Sequence, residues 1–309
     1  MNSLIYKSLI IVTAIAALAV APGRAQTIQR VEEALPEFGR IAVGGDFVLD
    51  VRYGKQYSAT LQIEELFADY VQVAVEDSTL TVSIDERRVP ADVRRLYRGR
   101  DALPPVFNLR VTMPETLSYL RLSDRASLGR VDELVIHPDE LGIRVTDNAV
   151  ISGLTTETRR VSLDLDKRAN VSMRADSDTL FVRMAGNSTL LLEQHSRRAV
   201  VNAVSNASLT LDGETEEMTV SVKGTTKTIL NGQAGKVKYE MANSSSVNAY
   251  SLLSGEANAV LSGICTLFDA TENDLTVDLS HGATLIFLNS PAIHVENIRN
   301  SSLIPYEKK

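Results

Sequence analysis

Apolar residues recur along this chain in one short motif. Its clearest copy is Val201-Asn202-Ala203-Val204-Ser205-Asn206-Ala207-Ser208-Leu209-Thr210-Leu211, where two apolar residues stand two apart, five residues follow, and a second apolar pair stands two apart. Taking the residue after the gap as an anchor gives Leu128, Ile151, Val171, Leu190, Leu209, Thr228, Val247, Leu267, Leu285 and Leu303, with spacings of 23, 20, 19, 19, 19, 19, 20, 18 and 18. Six residues before each anchor stands another apolar residue, from Leu122 through Val222 to Leu279, with Asn297 as the one exception; eight before, the row runs from Leu120 to Val295. A period of two is that of a strand with one face turned inward. Two residues before the anchor the side chain is always small, from Ala126 to Ser301, as at an inside corner. Strands at fixed places in a repeat of about 19 residues predict an all-β fold, a parallel β-solenoid of about ten rungs over residues 117–309. Each rung then buries its inward row on the one before, about 4.8 Å away.

Three residues before the anchors stand Asn148, Asn187, Asn206, Gly282 and Asn300. Asn and Gly tolerate a left-handed backbone, so the corner is expected there, with Asn side chains bonding from rung to rung.

Residues 26–116 lack the 19-residue period but alternate strongly. Phe38–Gly54, with Gly44-Gly45-Asp46 at its centre, reads as a pair of strands joined by a turn. Tyr57–Ile63 and Phe107–Met113 read as strands, Val71–Ile84 as a hairpin, and 64–70 as a short helical turn. This β-rich section is expected to cover the first rung, because an open solenoid end exposes core and unpaired strand edges.

Composition fits thin rungs filled by Val, Leu and Ala: 44% of residues are hydrophobic and none is Trp. The single cysteine, Cys265, excludes an intrachain disulfide and falls in the small-residue row, where a buried structural thiol is expected. Residues 1–25 carry Lys7, an apolar run from Ser8 to Val20 and Gly23-Arg24-Ala25, the pattern of a secretory signal peptide cut before Gln26. Loss of Lys7 and Arg24, with no acid, takes the net charge from −7 to −9. An exported chain with that charge is expected to bind no nucleic acid and to keep no transmembrane segment once the signal is removed.

From 85 to 105 the alternation stops, and the segment holds Arg87, Arg88, Arg94, Arg95, Arg98 and Arg100. A planar guanidinium suits carboxylate and phosphate, so these six are the candidate ligand-binding residues, for acidic polysaccharide or lipid A phosphates. The competing reading is a solvated insertion neutralised by Asp85, Glu86, Asp92 and Asp101.

The Phe38–Gly54 opening, the hairpin ending Leu80-x-Val82-x-Ile84 and the lead-in Val111-Thr112-Met113-Pro114-x-x-Leu117 resemble the bacterial family described as "putative auto-transporter adhesin, head GIN domain". The resemblance covers about 38–303. It implies a right-handed β-helix-like solenoid, export and an adhesive role, and it brings no catalytic residues. The repeat runs almost to Lys309, so no auto-transporter membrane barrel is expected after it.

β-helices include polysaccharide lyases and hydrolases, which converge carboxylates on one face of a sugar-sized groove. Asp124 and Asp147, at equivalent corners of successive rungs, form the best pair, but the next rungs offer Lys167 and Gly186. His137, His195, His281 and His294 show no metal-ligand spacing. Scattered Tyr and Phe argue against sugar stacking. The outward column Arg144–Asp164–Arg183 reads as an exposed charge ladder. The expectation is therefore an exported, non-enzymatic adhesin-like or scaffold module of the periplasm, outer-membrane surface or extracellular space. It needs no cofactor and meets a cell-surface glycan or protein; the alternative is a carbohydrate-active β-helix enzyme.

Overall fold

The computed structural model describes residues 27–97, 105–114, 116–129 and 135–306; the expected signal peptide lies outside them. The fold is nearly all β, with 69% strand against 4% helix, and forms a solenoid of about ten turns. Neighbouring anchors are strand partners throughout: Leu190 faces Leu209, Leu209 faces Thr228, and the same parallel column runs unbroken from Leu128 to Leu303. The inward rows are buried, as Leu163, Val182, Val201, Val220 and Tyr239 show, while Ser221 and Glu240 between them face outward. Each buried Val or Leu contributes roughly 1.5–3 kcal/mol, so stability accumulates turn by turn.

The uneven spacings are absorbed just past the anchors. Gly153 is an extra residue between Ser152 and Leu154, and the later register shifts follow Ile229 and Asn248. A bulge also removes the one exception in the apolar pattern. Glu296 is unpaired, so Asn297 faces Asp278 and Ile298, not Asn297, faces Leu279.

The corner lies one residue earlier than the Asn pattern indicated at most turns, while Gly282 and Asn300 are left-handed at the expected position. Left-handed backbone occurs at Asp124, Asp147, Lys167, Gly186, Ser205, Gly224, Asn243, Gly263 and His281, four residues before the anchors. At most of these corners the next residue's N–H donates to the corner carbonyl one turn back, as Asn206 does to Gly186 and Thr225 to Ser205. The Asn side chains do bond between turns: Asn206 Nδ2 donates to Asn187 Oδ1 over 3.0 Å. The small-residue row packs inside this corner, where Ala207 and Cys265 are buried. Burial holds the Cys265 thiol above its ordinary pKa.

The Phe38–Gly54 segment is not a hairpin. Strands Arg40–Val43 and Val48–Tyr53 do not pair with each other. They are two faces of a further turn: Ile41 faces Leu120, and Leu49 faces Leu128. Gly45, with φ 99°, is its corner. On the other side Ile41 faces Leu80 and Leu49 faces Leu109, so Thr79–Ile84 and Phe107–Met113 form an outer turn. Chain order and stacking order therefore differ, residues 40–53 lying between turns made by later residues. Beyond the outer turn the direction reverses. Ser58–Glu64 runs antiparallel to Phe107–Met113, Thr27–Glu32 antiparallel to Ser58–Glu64, and Val71–Glu76 antiparallel to Thr79–Ile84. The 64–70 turn is a 3-10 helix, Glu65–Tyr70.

Candidate functional site

The arginine segment occupies a corner. It joins Ile84 to Phe107 in the outer turn, where regular turns need only a few residues, and carries the one-and-a-half-turn helix Ala91–Leu96. Arg87, Arg88 and Arg95 are exposed and Arg94 is half-buried; Arg98 and Arg100 lie outside the described residues. None of the four described arginines makes an ion pair with a described residue. Arg94 lines a cavity of about 340 Å³ with Phe67, Val89, Tyr97, Phe107 and Arg125, and its buried Nε has no hydrogen-bond partner among the described residues. Tyr97 packs on Phe67 with ring centroids 5.3 Å apart. Burial first, and then the neighbouring Glu64 carboxylate, push its hydroxyl up to about 12. Arg125 is committed, donating to both Asp46 carboxylate oxygens over 2.6 Å.

Asp124 and Asp147 hold structure. Asp124 Oδ2 accepts the Gly45 N–H at 2.9 Å. Asp147 accepts from Lys167 Nζ and, at 2.8 Å, from Thr146 Oγ1. The Lys167 bond is the main cause holding its carboxyl below the ordinary value. The charge ladder is present: Arg183 Nε donates to Asp164 at 3.1 Å, and Arg144 approaches the same carboxylate at 3.8 Å. All three are exposed or half-exposed, which limits such pairs to about 0–1 kcal/mol.

The larger concavity is a lateral groove of about 730 Å³ crossing five turns, from Gly153 to Gln233. Leu191, Glu193, His195, Asp212 and Glu214 line it. Leu191 is 53% exposed, and the three acids are exposed as well. Arg174 Nη1 bonds Glu193 at 3.1 Å, and the His195 ring bonds Asp176 at 3.0 Å. The floor is backbone: a Cβ at Gly213 would collide with the Gln194 carbonyl. The acids face water. Sequence reasoning missed this groove because its residues follow the anchors by one to five places, where the repeat has no signature. It also missed an aromatic cluster: Tyr250 lies 4.9 Å from Phe268 and 5.2 Å from Tyr306, three residues scattered in sequence and gathered by stacking. Among the described residues no group of three or more His, Cys, Asp or Glu is placed to hold a metal ion, and no helix is long and apolar enough to cross a membrane.

The family model described as "Putative auto-transporter adhesin, head GIN domain" matches residues 37–194 and 186–291. The chain belongs to this family. Among solved structures, a "putative adhesin" of Parabacteroides merdae is similar, at TM-score 0.52 and 12% identity, covering 92% of this chain and 98% of that one. A "putative adhesin" and a "putative lipid binding protein" of Parabacteroides distasonis each give a TM-score of 0.48 over the same shares, at 12% and 14% identity. At these identities the likeness is one of fold. No curated protein matches the chain.

Proposed function

We propose that this head GIN protein is an exported, non-enzymatic binding module of the cell envelope that holds an extended glycan along its lateral groove. The observation that carries this reading is the groove itself. It runs along the solenoid axis over five turns and combines apolar Leu191 with the donors and acceptors of Arg174, Glu193, His195 and Glu214. The exposed Glu193 carboxylate, already engaged by Arg174, suits hydrogen bonds from hydroxyls. The exposed arginines Arg87, Arg88 and Arg95 offer a second, salt-sensitive contact for anionic glycan.

Carboxylates beside a sugar-sized groove also favour a second reading, a carbohydrate-active enzyme. One experiment separates the two. The purified protein is screened against immobilised glycans and matrix proteins, and every bound glycan is then incubated with it and assayed for new reducing ends or unsaturated products. Binding without cleavage, lost in a Leu191→Glu, Glu214→Ala variant of unchanged melting temperature, is the expected result. Product formation by wild type that the same changes abolish would establish the enzyme, and binding indifferent to them would remove the groove from the function.

A further inference from the structure

The two ends of the solenoid differ. Antiparallel strands cover the N-terminal end. At the other end, Ala292–Arg299 pairs with Thr266–Ser280 on one side, and among the described residues nothing pairs with its other side. Inward positions there are open: Ile293 is 37%, Val295 55% and Ile298 40% exposed, whereas Leu275, Val277 and Leu279 one turn back are fully buried. A free row of N–H and C=O groups beside an exposed apolar row is a template for another strand.

The charges on this edge indicate which strand. Glu296, the bulged residue, and Arg299 stand three apart, and neither has an ion-pair partner among the described residues. His294 is already engaged with Asp274 at 3.1 Å. A two-fold axis reverses strand direction, so it brings Glu296 of each copy toward Arg299 of the other and lays the apolar rows together. A head-to-tail stack would set this edge against Thr27–Glu32, where Arg30 and Glu32 already pair with each other over 2.6 Å and leave Glu296 and Arg299 without a counter-charge. We infer that the terminal strand is a self-complementary interface joining two copies end to end, an isologous contact that closes and leaves neither edge free.

The test is sedimentation velocity on the purified protein over a wide dilution series. A concentration-dependent dimer is expected. Glu296→Arg or Arg299→Glu alone should weaken it about tenfold by setting like charges opposite one another, and the double reversal should restore it. Independently, Asn297→Cys places a thiol near the two-fold axis, and mild oxidation should give a disulfide-linked dimer, since Cys265 is buried. A monomer at every concentration, growth past the dimer, single reversals without effect, or a double reversal that stays weak in a protein that also fails to cross-link would each overturn the inference.

Discussion

The backbone N–H of Gly45 donates to the Asp124 carboxylate over 2.9 Å, tying the corner of the Arg40–Tyr53 turn to the corner of the first regular turn. The two residues are 79 positions apart. Asp124 is itself left-handed, with φ 60°. Asp124→Ala therefore removes a charge-assisted bond and keeps the backbone strain, and should cost about 2–3 kcal/mol. Asp124→Asn keeps an acceptor and tolerates the conformation, so it should cost less than half as much. Urea titrations of the three proteins measure this; equal losses would show that the side-chain bond contributes little.

The register makes a sharp contrast between neighbours. Val222 is fully buried, while Ser221 faces outward beside Glu240. Val222→Asp places an unpaired charge between turns and should abolish cooperative unfolding. Ser221→Lys should change stability by under about 1 kcal/mol. Thermal melts followed by circular dichroism test the pair, and similar curves would contradict the burial assignment.

Gly213 has a backbone that an L side chain rarely adopts, with φ 143°, and its α-carbon lies against the Gln194 carbonyl. Gly213→Ala should lower stability by about 2–4 kcal/mol through strain and collision together. It should also disturb the lateral groove, so glycan affinity should fall even where the protein remains folded at low temperature. Unaltered melting would mean that the floor can yield.

Asp269 is fully buried at a position where other turns place Leu211 or Leu230. Its carboxylate accepts the Thr271 N–H at 3.1 Å, yet burial dominates and raises its pKa. A raised folded-state pKa means that the folded protein holds the proton more tightly than the unfolded chain. This group's contribution is therefore most favourable below the ordinary aspartate value near 3.9, and it declines as pH rises from there through the folded value. Asp269→Asn removes that decline. The variant's gain in melting temperature over wild type should be small at acid pH and grow toward neutrality. A gain that is constant across pH would place the cause elsewhere.

Replacing Arg87, Arg88 and Arg95 with Ser should abolish any low-salt binding to heparin-like or lipid A ligands while leaving the melting temperature nearly unchanged, because all three are exposed and make no ion pair with a described residue. If wild type shows no such binding, the expanded corner is a spacer.

The regular turns were legible because burial repeats: nine successive anchor pairs force the same inward face, and one slipped residue would expose a whole row. Single occurrences were not legible. The Ile41–Leu49 turn has the right spacing but places Phe47 where regular turns place a small residue, and it stacks out of chain order. The outer turn is split by the arginine segment, so Val82 and Leu109 do not read as partners of one motif. At Asn187 and Asn206 the pattern misplaced the corner by one residue, because these side chains serve as acceptor and donor between turns, whereas Asn300 is itself left-handed, with φ 53°. The groove joins residues of successive turns, and the aromatic cluster joins residues up to three turns apart, at positions that carry no repeated residue type.

The displaced turn at 40–53 has a consequence for how the chain is built. A plain solenoid can grow by adding each new coil to the last. Here residues 40–53 have neither neighbour until 79–113 and then 119–128 exist, so the starting layer waits for roughly the first third of the chain and for contacts some 80 residues apart. Loop closure at that separation is slow relative to the 19-residue additions that follow. Assembly is thus directional, with a slow foundation and quick growth away from it. Removing coils from the far end should shorten the protein gradually, whereas deleting 27–53 should leave the remaining coils without a surface on which to start.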